Sequence, residues 1–152
     1  MVFDAESGAV IDVAPLAVNP QSLAAANGFS HGVLSGNTLY LGGQTGLDAE
    51  MRIVPGGIVE QFRQAFSNVL ATIAEVGGVP SDLVNLTIYV TDIPDYQAHA
   101  EEIGAVWMEL AGPIAPAMAG IGTSGLWQAE AKVEILGVAV IPESRLVRPT
   151  VE

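Results

Sequence analysis

Residues 131–141 read Ala-Lys-Val-Glu-Ile-Leu-Gly-Val-Ala-Val-Ile. The composition is that of a β-strand, and Pro142 ends it. Val133, Ile135, Ala139 and Ile141 fall on one face, and Leu136, Val138 and Val140 on the other. A strand that is apolar on both faces must be covered on both. Glu134 is the one carboxylate inside this run. The fold is the arrangement that covers both faces and gives that carboxylate a place.

Upstream, residues 83–91 form a second strand. Val84, Leu86, Ile88 and Val90 alternate with Asn85, Thr87, Tyr89 and Thr91. Before it lies a helix over 58–76, with Phe62, Ala65, Phe66, Val69, Leu70, Ile73 and Val76 at steps of three and four. Gly77-Gly78 stop that helix and Pro80 prevents its return. Earlier still, residues 31–35 and 38–42 flank Gly36-Asn37, a pair suited to a two-residue hairpin turn. Leu39 and Leu41 face one way, Thr38 and Tyr40 the other. Residues 42–46 are expected to leave the strand, and 46–57 to form a loop closed by Pro55-Gly56-Gly57.

Asp92 is a candidate cap for a second helix starting near Pro94, with a stripe of Tyr96, His99, Ile103, Val106, Trp107 and Leu110. Residues 115–123 are expected to be a strand and 125–128 a loop. The order β-β-α-β-α-β-β predicts an α+β fold with both helices on one face of the sheet. The opposite face must then meet something else. Residues 1–27 read as an irregular or partly extended N-terminal arm, 28–141 as the domain, and 142–152 as a frayed tail.

Composition narrows the class. The chain has 152 residues, one domain's worth. Half are apolar and 14% charged, which excludes a disordered chain. No apolar run is long enough for a membrane-spanning helix. So few charges leave much apolar surface on a lone protomer and point to an oligomer. Acidic residues number 17 against 5 basic, a net charge of −12 that repels phosphate backbones and argues against nucleic-acid partners. There is no cysteine, so disulfides and thiolate chemistry are excluded. The N-terminus lacks the pattern of a secretion signal, and a cytoplasmic location is expected.

Glu134 is the leading candidate for chemistry. A carboxylate in an apolar strand is paired, hydrogen-bonded or raised in pKa, and such a group can orient water or shuttle protons. The alternative is a residue that reaches solvent or pairs with Lys132 or an arginine. His31 and His99 are single histidines for which a structural role is the simpler reading. No metal-ligand spacing is present, and neither metal nor cofactor is expected. Gly42-Gly43-Gln44-Thr45-Gly46 resembles an anion nest but lacks the phosphate-loop lysine. Its glycines fit close approach by another chain segment or a ligand. Trp127, in a loop, reads as an interface anchor or a pocket wall.

Together these stretches resemble a known family. GNTLYLGGQTGLD (36–48), QFRQAFSNVLATIAEVGG (61–78), LVNLTIYVTDIPDY (83–96), PAMAGIG (116–122) and AKVEILGVAV (131–140) are similar in order and spacing to the signatures of the reactive intermediate deaminase family. That family is also called Rid or YjgF, and formerly L-PSP endoribonuclease. The resemblance covers about residues 28–141. It implies a chorismate-mutase-like protomer, a homotrimer, and ligand clefts between subunits. It implies hydrolysis of imines or enamines to keto acids and ammonia, without a cofactor.

Carried over residue by residue, the resemblance makes Glu134 the water-orienting carboxylate. It places Phe29, Gly42, Gly43, Thr45, Met118, Ala119, Gly120, Ile121 and Trp127 around a small-molecule ligand, with backbone N–H groups near Gly120 and Ile121 polarising it. The family's carboxylate-gripping arginine falls at Met118, its pocket tyrosine at Phe29 and its serine at Gly42. Those departures argue against the family's usual keto-acid-forming reaction and favour a neutral or cationic ligand. Gln44, Thr123 and Ser124 are further candidate polar contacts. The competing expectation is a non-catalytic trimer that binds a small apolar ligand or a partner protein. The old ribonuclease label fits poorly with the acidic charge.

Overall fold

The computed structural model describes residues 2–11 and 14–150. Strands β1 (Val2–Phe3) and β2 (Val10–Ile11) pair as a short hairpin. The main sheet has six strands in the order β3-β4-β5-β8-β6-β7. They are β3 (Leu16–Val18), β4 (Gly32–Ser35), β5 (Thr38–Thr45), β6 (Leu83–Val90), β7 (Ala117–Gly122) and β8 (Val133–Val140). Only β6 and β7 run parallel. The N-terminal arm therefore contributes an edge strand, with Leu16, Ala17 and Val18 opposite Leu34, Val33 and Gly32.

The doubly apolar strand β8 lies inside the sheet, between β5 and β6. Its two faces have different surroundings. Val133, Ile135, Ala139 and the following Ile141 are buried under helix α1 (Ile58–Glu75) with Phe62, Phe66, Val69 and Ile73. Ala65 is fully buried on the same stripe, while Leu70 is only half-buried. Trp107 from helix α3 (Ala100–Ala111) stacks on Phe66, so both long helices cover this face. The other face is open. It carries half-buried Leu136 and Val138, and exposed Tyr40, Val84 and Val140.

Helix α1 ends where expected. Gly77 takes φ 82°, and the Gly77 and Gly78 N–H groups donate to the Ala74 and Ile73 carbonyls, closing the helix with a left-handed cap. The hairpin turn is also as expected, with Gly36 at φ 61°.

Four details differ from the sequence reading. Residues 42–45 do not leave the strand. β5 bulges after Leu41 and resumes pairing with β8 at Gln44 and Thr45. Gly42 and Gly43 are the residues released by that bulge. In β6, the register with β8 shifts between Leu83 and Asn85, which buries Leu83 and turns Val84 outward.

The second helix is two helices. Asp92 caps α2 (Ile93–Ala98) by accepting from the Asp95 N–H. His99 then leaves helical geometry at φ −109°, ψ 14°, its Nδ1 lying 2.8 Å from the Asp95 carbonyl. The stripe residues Ile103 and Val106 are buried, and Tyr96, Trp107 and Leu110 pack half-buried against the core.

The tail, finally, is docked where fraying was expected. Arg145 makes two hydrogen bonds to Asp82, at 2.9 and 2.7 Å, and the Val147 N–H donates to the Val76 carbonyl. The Arg145 carbonyl lies so close over Gly77 that any side chain there would strike it.

Candidate functional site

The β5–β8 ladder places Thr45 directly opposite Glu134, and the β8–β6 ladder places Tyr89 on the other side of it. Ile121 of β7 lies opposite Tyr89. These four residues make one row across the open face of the sheet, because directly paired residues project the same way. Glu134 sits in the row half-buried. Among the described residues no hydrogen bond and no ion pair holds its carboxylate. Pairing with Lys132 or an arginine is thus not what the fold provides.

Burial raises the pKa of Glu134 above the usual glutamate value. The β5 bulge gives the side chain its room. A Cβ on Gly43 would lie 2.9 Å from Glu134 Cδ, closer than real side chains approach. Gly42 meets a different demand, because its missing Cβ would stand 2.8 Å from the Ser30 carbonyl oxygen. Close approach is therefore what both glycines serve, one toward a chain segment and one toward a carboxylate.

A concavity of about 750 Å³ opens over this point. Phe29, Gly42, Gly43, Thr45, Trp127 and Glu134 all line it. Trp127 is 93% exposed, so it is no part of the core and stands at the rim. Phe29 is also exposed, its ring edge-on to His31 at 5.5 Å. Thr45 donates to Gln128 Oε1 at 3.1 Å, which ties the Trp127 loop to the sheet.

His31 lines the concavity from behind with both ring nitrogens occupied. Nε2 lies 2.7 Å from the Ala24 carbonyl and Nδ1 2.9 Å from Gln44 Nε2. The consistent arrangement has Nε2–H donating to Ala24 and Nδ1 accepting from Gln44. This histidine braces the bulge and has no nitrogen left for a ligand, and Gln44 gives one amide N–H to it.

Met118, Ala119 and Gly120, with Ile121 at the far end of the Glu134 row, lie outside the concavity. They lie on β7, exposed, at the sheet edge and separated from β8 by β6. Met118 pairs with Leu86, which puts it on the face that the helices cover, beyond their reach. The protomer does not bring these four to the concavity. Thr123 donates to the Gly125 carbonyl at the base of the Trp127 loop, and Ser124 lines a second concavity behind that loop with Gln61 and Lys132.

Two residues of the site carry no mark in the sequence. Tyr89 belongs to the polar phase of its strand, and its position beside Glu134 depends on the β6–β8 register. Gln128 has no pattern around it that marks it as the partner of Thr45. Among the described residues there is no group of three His, Cys, Asp or Glu that could hold a metal ion, and no helix is long and apolar enough to cross a membrane.

Comparison with known proteins meets this geometry. The model of the endoribonuclease L-PSP family matches residues 19–141. The chain is 33% identical over 114 residues to the 2-iminobutanoate/2-iminopropanoate deaminase of Dermatophagoides farinae, covering 74% of this chain and 85% of that one. It is 35% identical over 86 residues to the protein of the same name from Capra hircus, spanning 56% of this chain and 57% of the goat protein's length. It is 32% identical to a RutC family protein of Aquifex aeolicus, covering 82% of this chain and 93% of that one. Among solved structures, the YjgF gene product of E. coli superposes with a TM-score of 0.74 at 28% identity, over 82% of this chain and 98% of that one. With the same fold and a family match that runs to the end of β8, this chain belongs to the endoribonuclease L-PSP family, the group of the YjgF and Rid proteins.

Proposed function

We propose that the chain assembles as a homotrimer and hydrolyses the carbon–nitrogen double bond of a small imine, or of the imine tautomer of an enamine, with Glu134 orienting the attacking water. The observation that carries this is the Glu134 carboxylate itself. It is half-buried, without a protein partner among the described residues, and seated over Gly43 in an open concavity. A carboxylate raised in pKa by burial is a better base than an exposed one, and an unpaired one is available to water. The deaminase names of the relatives supply the reaction class.

In this reading Glu134 accepts a proton from water as the water oxygen bonds to the imine carbon. The π pair moves to nitrogen, which takes up a proton. Collapse of the resulting carbinolamine forms the carbonyl and releases ammonia. Every proton gained by Glu134 is returned to the departing nitrogen, so the carboxylate is regenerated.

The trimer is supported by the open sheet face. Tyr40, Val84 and Val140 are exposed there beside half-buried Leu136 and Val138, a surface that a soluble monomer seldom leaves bare. The exposed β7 edge, with Met118, Ala119, Gly120 and Ile121, would then border a neighbouring copy's concavity and complete a cleft between subunits.

The alternative is a trimer that holds a small apolar ligand without turnover. Exposed Met118 and Phe29, apolar where the family resemblance implies arginine and tyrosine, favour it. The deciding experiment generates imines in situ with an amino-acid or amine oxidase and follows ammonia release. Acceleration by the wild type that is absent in Glu134→Gln supports hydrolysis. No acceleration of any imine, with an apolar molecule recovered from the protein, supports the alternative.

A further inference from the structure

The concavity over Glu134 has an unusual balance of charge. Phe29, Trp127, Leu47 and Leu126 supply its apolar walls, and Ser30, His31, Gln44, Thr45 and Gln128 its neutral polar ones. Among the described residues its one acidic group is Glu134 and no lysine or arginine lines it, and His31 is braced at both nitrogens. Each arginine has an acidic partner elsewhere on the protomer. Arg52 is with Asp48 and Glu50, Arg63 with Glu109, Arg145 with Asp82 and Arg148 with Glu143. The only lysine, Lys132, lines the other concavity. A second copy of the chain brings the same five basic residues and the same net charge of −12.

Exposed aromatic rings lining the same concavity as a lone carboxylate are the composition of a cation site. The ring faces attract a cation by their quadrupole and the carboxylate attracts it by charge. The same composition disfavours an anion, because a substrate carboxylate would be desolvated beside Glu134 with no cationic partner.

We infer that the substrate is a cationic, carboxylate-free imine, the iminium of a primary amine with an apolar side chain. This rests on the proposed hydrolysis and narrows it. The reaction is R–CH=NH₂⁺ with water to R–CHO and ammonium, so the bond broken is C–N and no electrons are exchanged. The reaction that must supply such a substrate is the oxidation of a primary amine, and the product is an aldehyde.

The test uses matched pairs. Imines are generated from 2-phenylethylamine with a flavin amine oxidase and from phenylalanine with an amino-acid oxidase, and imine disappearance is followed above the spontaneous rate. The amine-derived imine should be accelerated on the order of tenfold or more above the carboxylate-bearing one. Equal acceleration, or preference for the amino-acid imine, overturns the inference and leaves Glu134-dependent hydrolysis standing.

Binding is read separately from turnover. Quenching of tryptophan fluorescence is titrated with 2-phenylethylammonium and with 3-phenylpropanoate, using Trp127→Phe to remove the rim signal from that of Trp107. Tighter binding of the ammonium, lost in Glu134→Gln, supports a cation site even if neither imine turns over. Equal or tighter binding of the carboxylate overturns it. Failure of turnover with both imines overturns the hydrolysis and the substrate that rests on it, and the titration then reads the cation preference of the site alone.

Discussion

The carboxylate of Glu134 occupies the space that a side chain at residue 43 would need. A Cβ on Gly43 would stand 2.9 Å from Glu134 Cδ and 3.2 Å from its Cγ. The bulge in β5 that releases Gly42 and Gly43 from the ladder therefore shapes the seat of the one unpaired acidic group in the concavity.

Gly43→Ala should then displace Glu134 without asking for a forbidden backbone, since Gly43 has no positive φ. The expected cost in stability is small, because the added methyl meets only the end of a flexible side chain that can move into the open concavity. Imine hydrolysis should nonetheless fall toward the level of Glu134→Gln. Urea unfolding and ammonia release on the same preparations check both. Full activity in the Gly43→Ala variant would mean that the seat does not position the carboxylate.

The raised pKa of Glu134 sets the sign of two pH effects. Burial disfavours the charged form in the folded state, so the fold binds more protons than the unfolded chain between the usual glutamate value and the raised one. The stability this gives is complete below the unfolded pKa and is lost as pH rises through the folded pKa. Glu134→Gln should accordingly be more stable than wild type at neutral pH, with the difference vanishing below the ordinary glutamate pKa. Activity should run the opposite way, rising with pH through the same raised value as the base form appears. Thermal melts and a pH–rate profile read these independently.

Much of this was legible in the sequence, because the elements follow strong periods. The stripe of α1, the alternation of β8 and the Gly36-Asn37 turn are local signals, and all three hold. Glu134 stood out because a carboxylate in an apolar strand is costly, whatever the fold. What local pattern could not carry was register. Val84 turned outward, β5 ran on through Gly42 and Gly43, and Tyr89 came to lie beside Glu134 only because of how β8 pairs with each neighbour. The docked tail was illegible for a similar reason. Its anchor joins Arg145 to Asp82, 63 residues away, and no spacing rule connects them.

That anchor makes its own demand. Arg145 holds the Asp82 carboxyl below the usual aspartate range, so its contribution is present above the unfolded pKa and lost as pH falls through the folded one. Arg145→Ala leaves a buried carboxylate with fewer partners and should lower the melting temperature at neutral pH by a few degrees. The loss should shrink in acid. A melting temperature unchanged at pH 7 would show the tail to be an ornament of the fold.

The open sheet face predicts its own fate in solution. Leu136→Glu puts a charge at the centre of that face, between Thr87 of β6 and the exposed rim. Light scattering should give a trimer for the wild type and smaller species for the variant. A wild type that is monomeric at micromolar concentration would leave no inter-subunit cleft for the ligand.

Glu134 as the base stands or falls on the hydrolysis of in situ imines by wild type beside Glu134→Gln. The side chain is nearly unchanged in size, so folding is preserved while the base is lost. Wild type should release ammonia above the spontaneous rate, and Glu134→Gln should return to that rate, a loss on the order of a hundredfold or more. Wild-type turnover that survives in Glu134→Gln would show that this carboxylate does not orient the water.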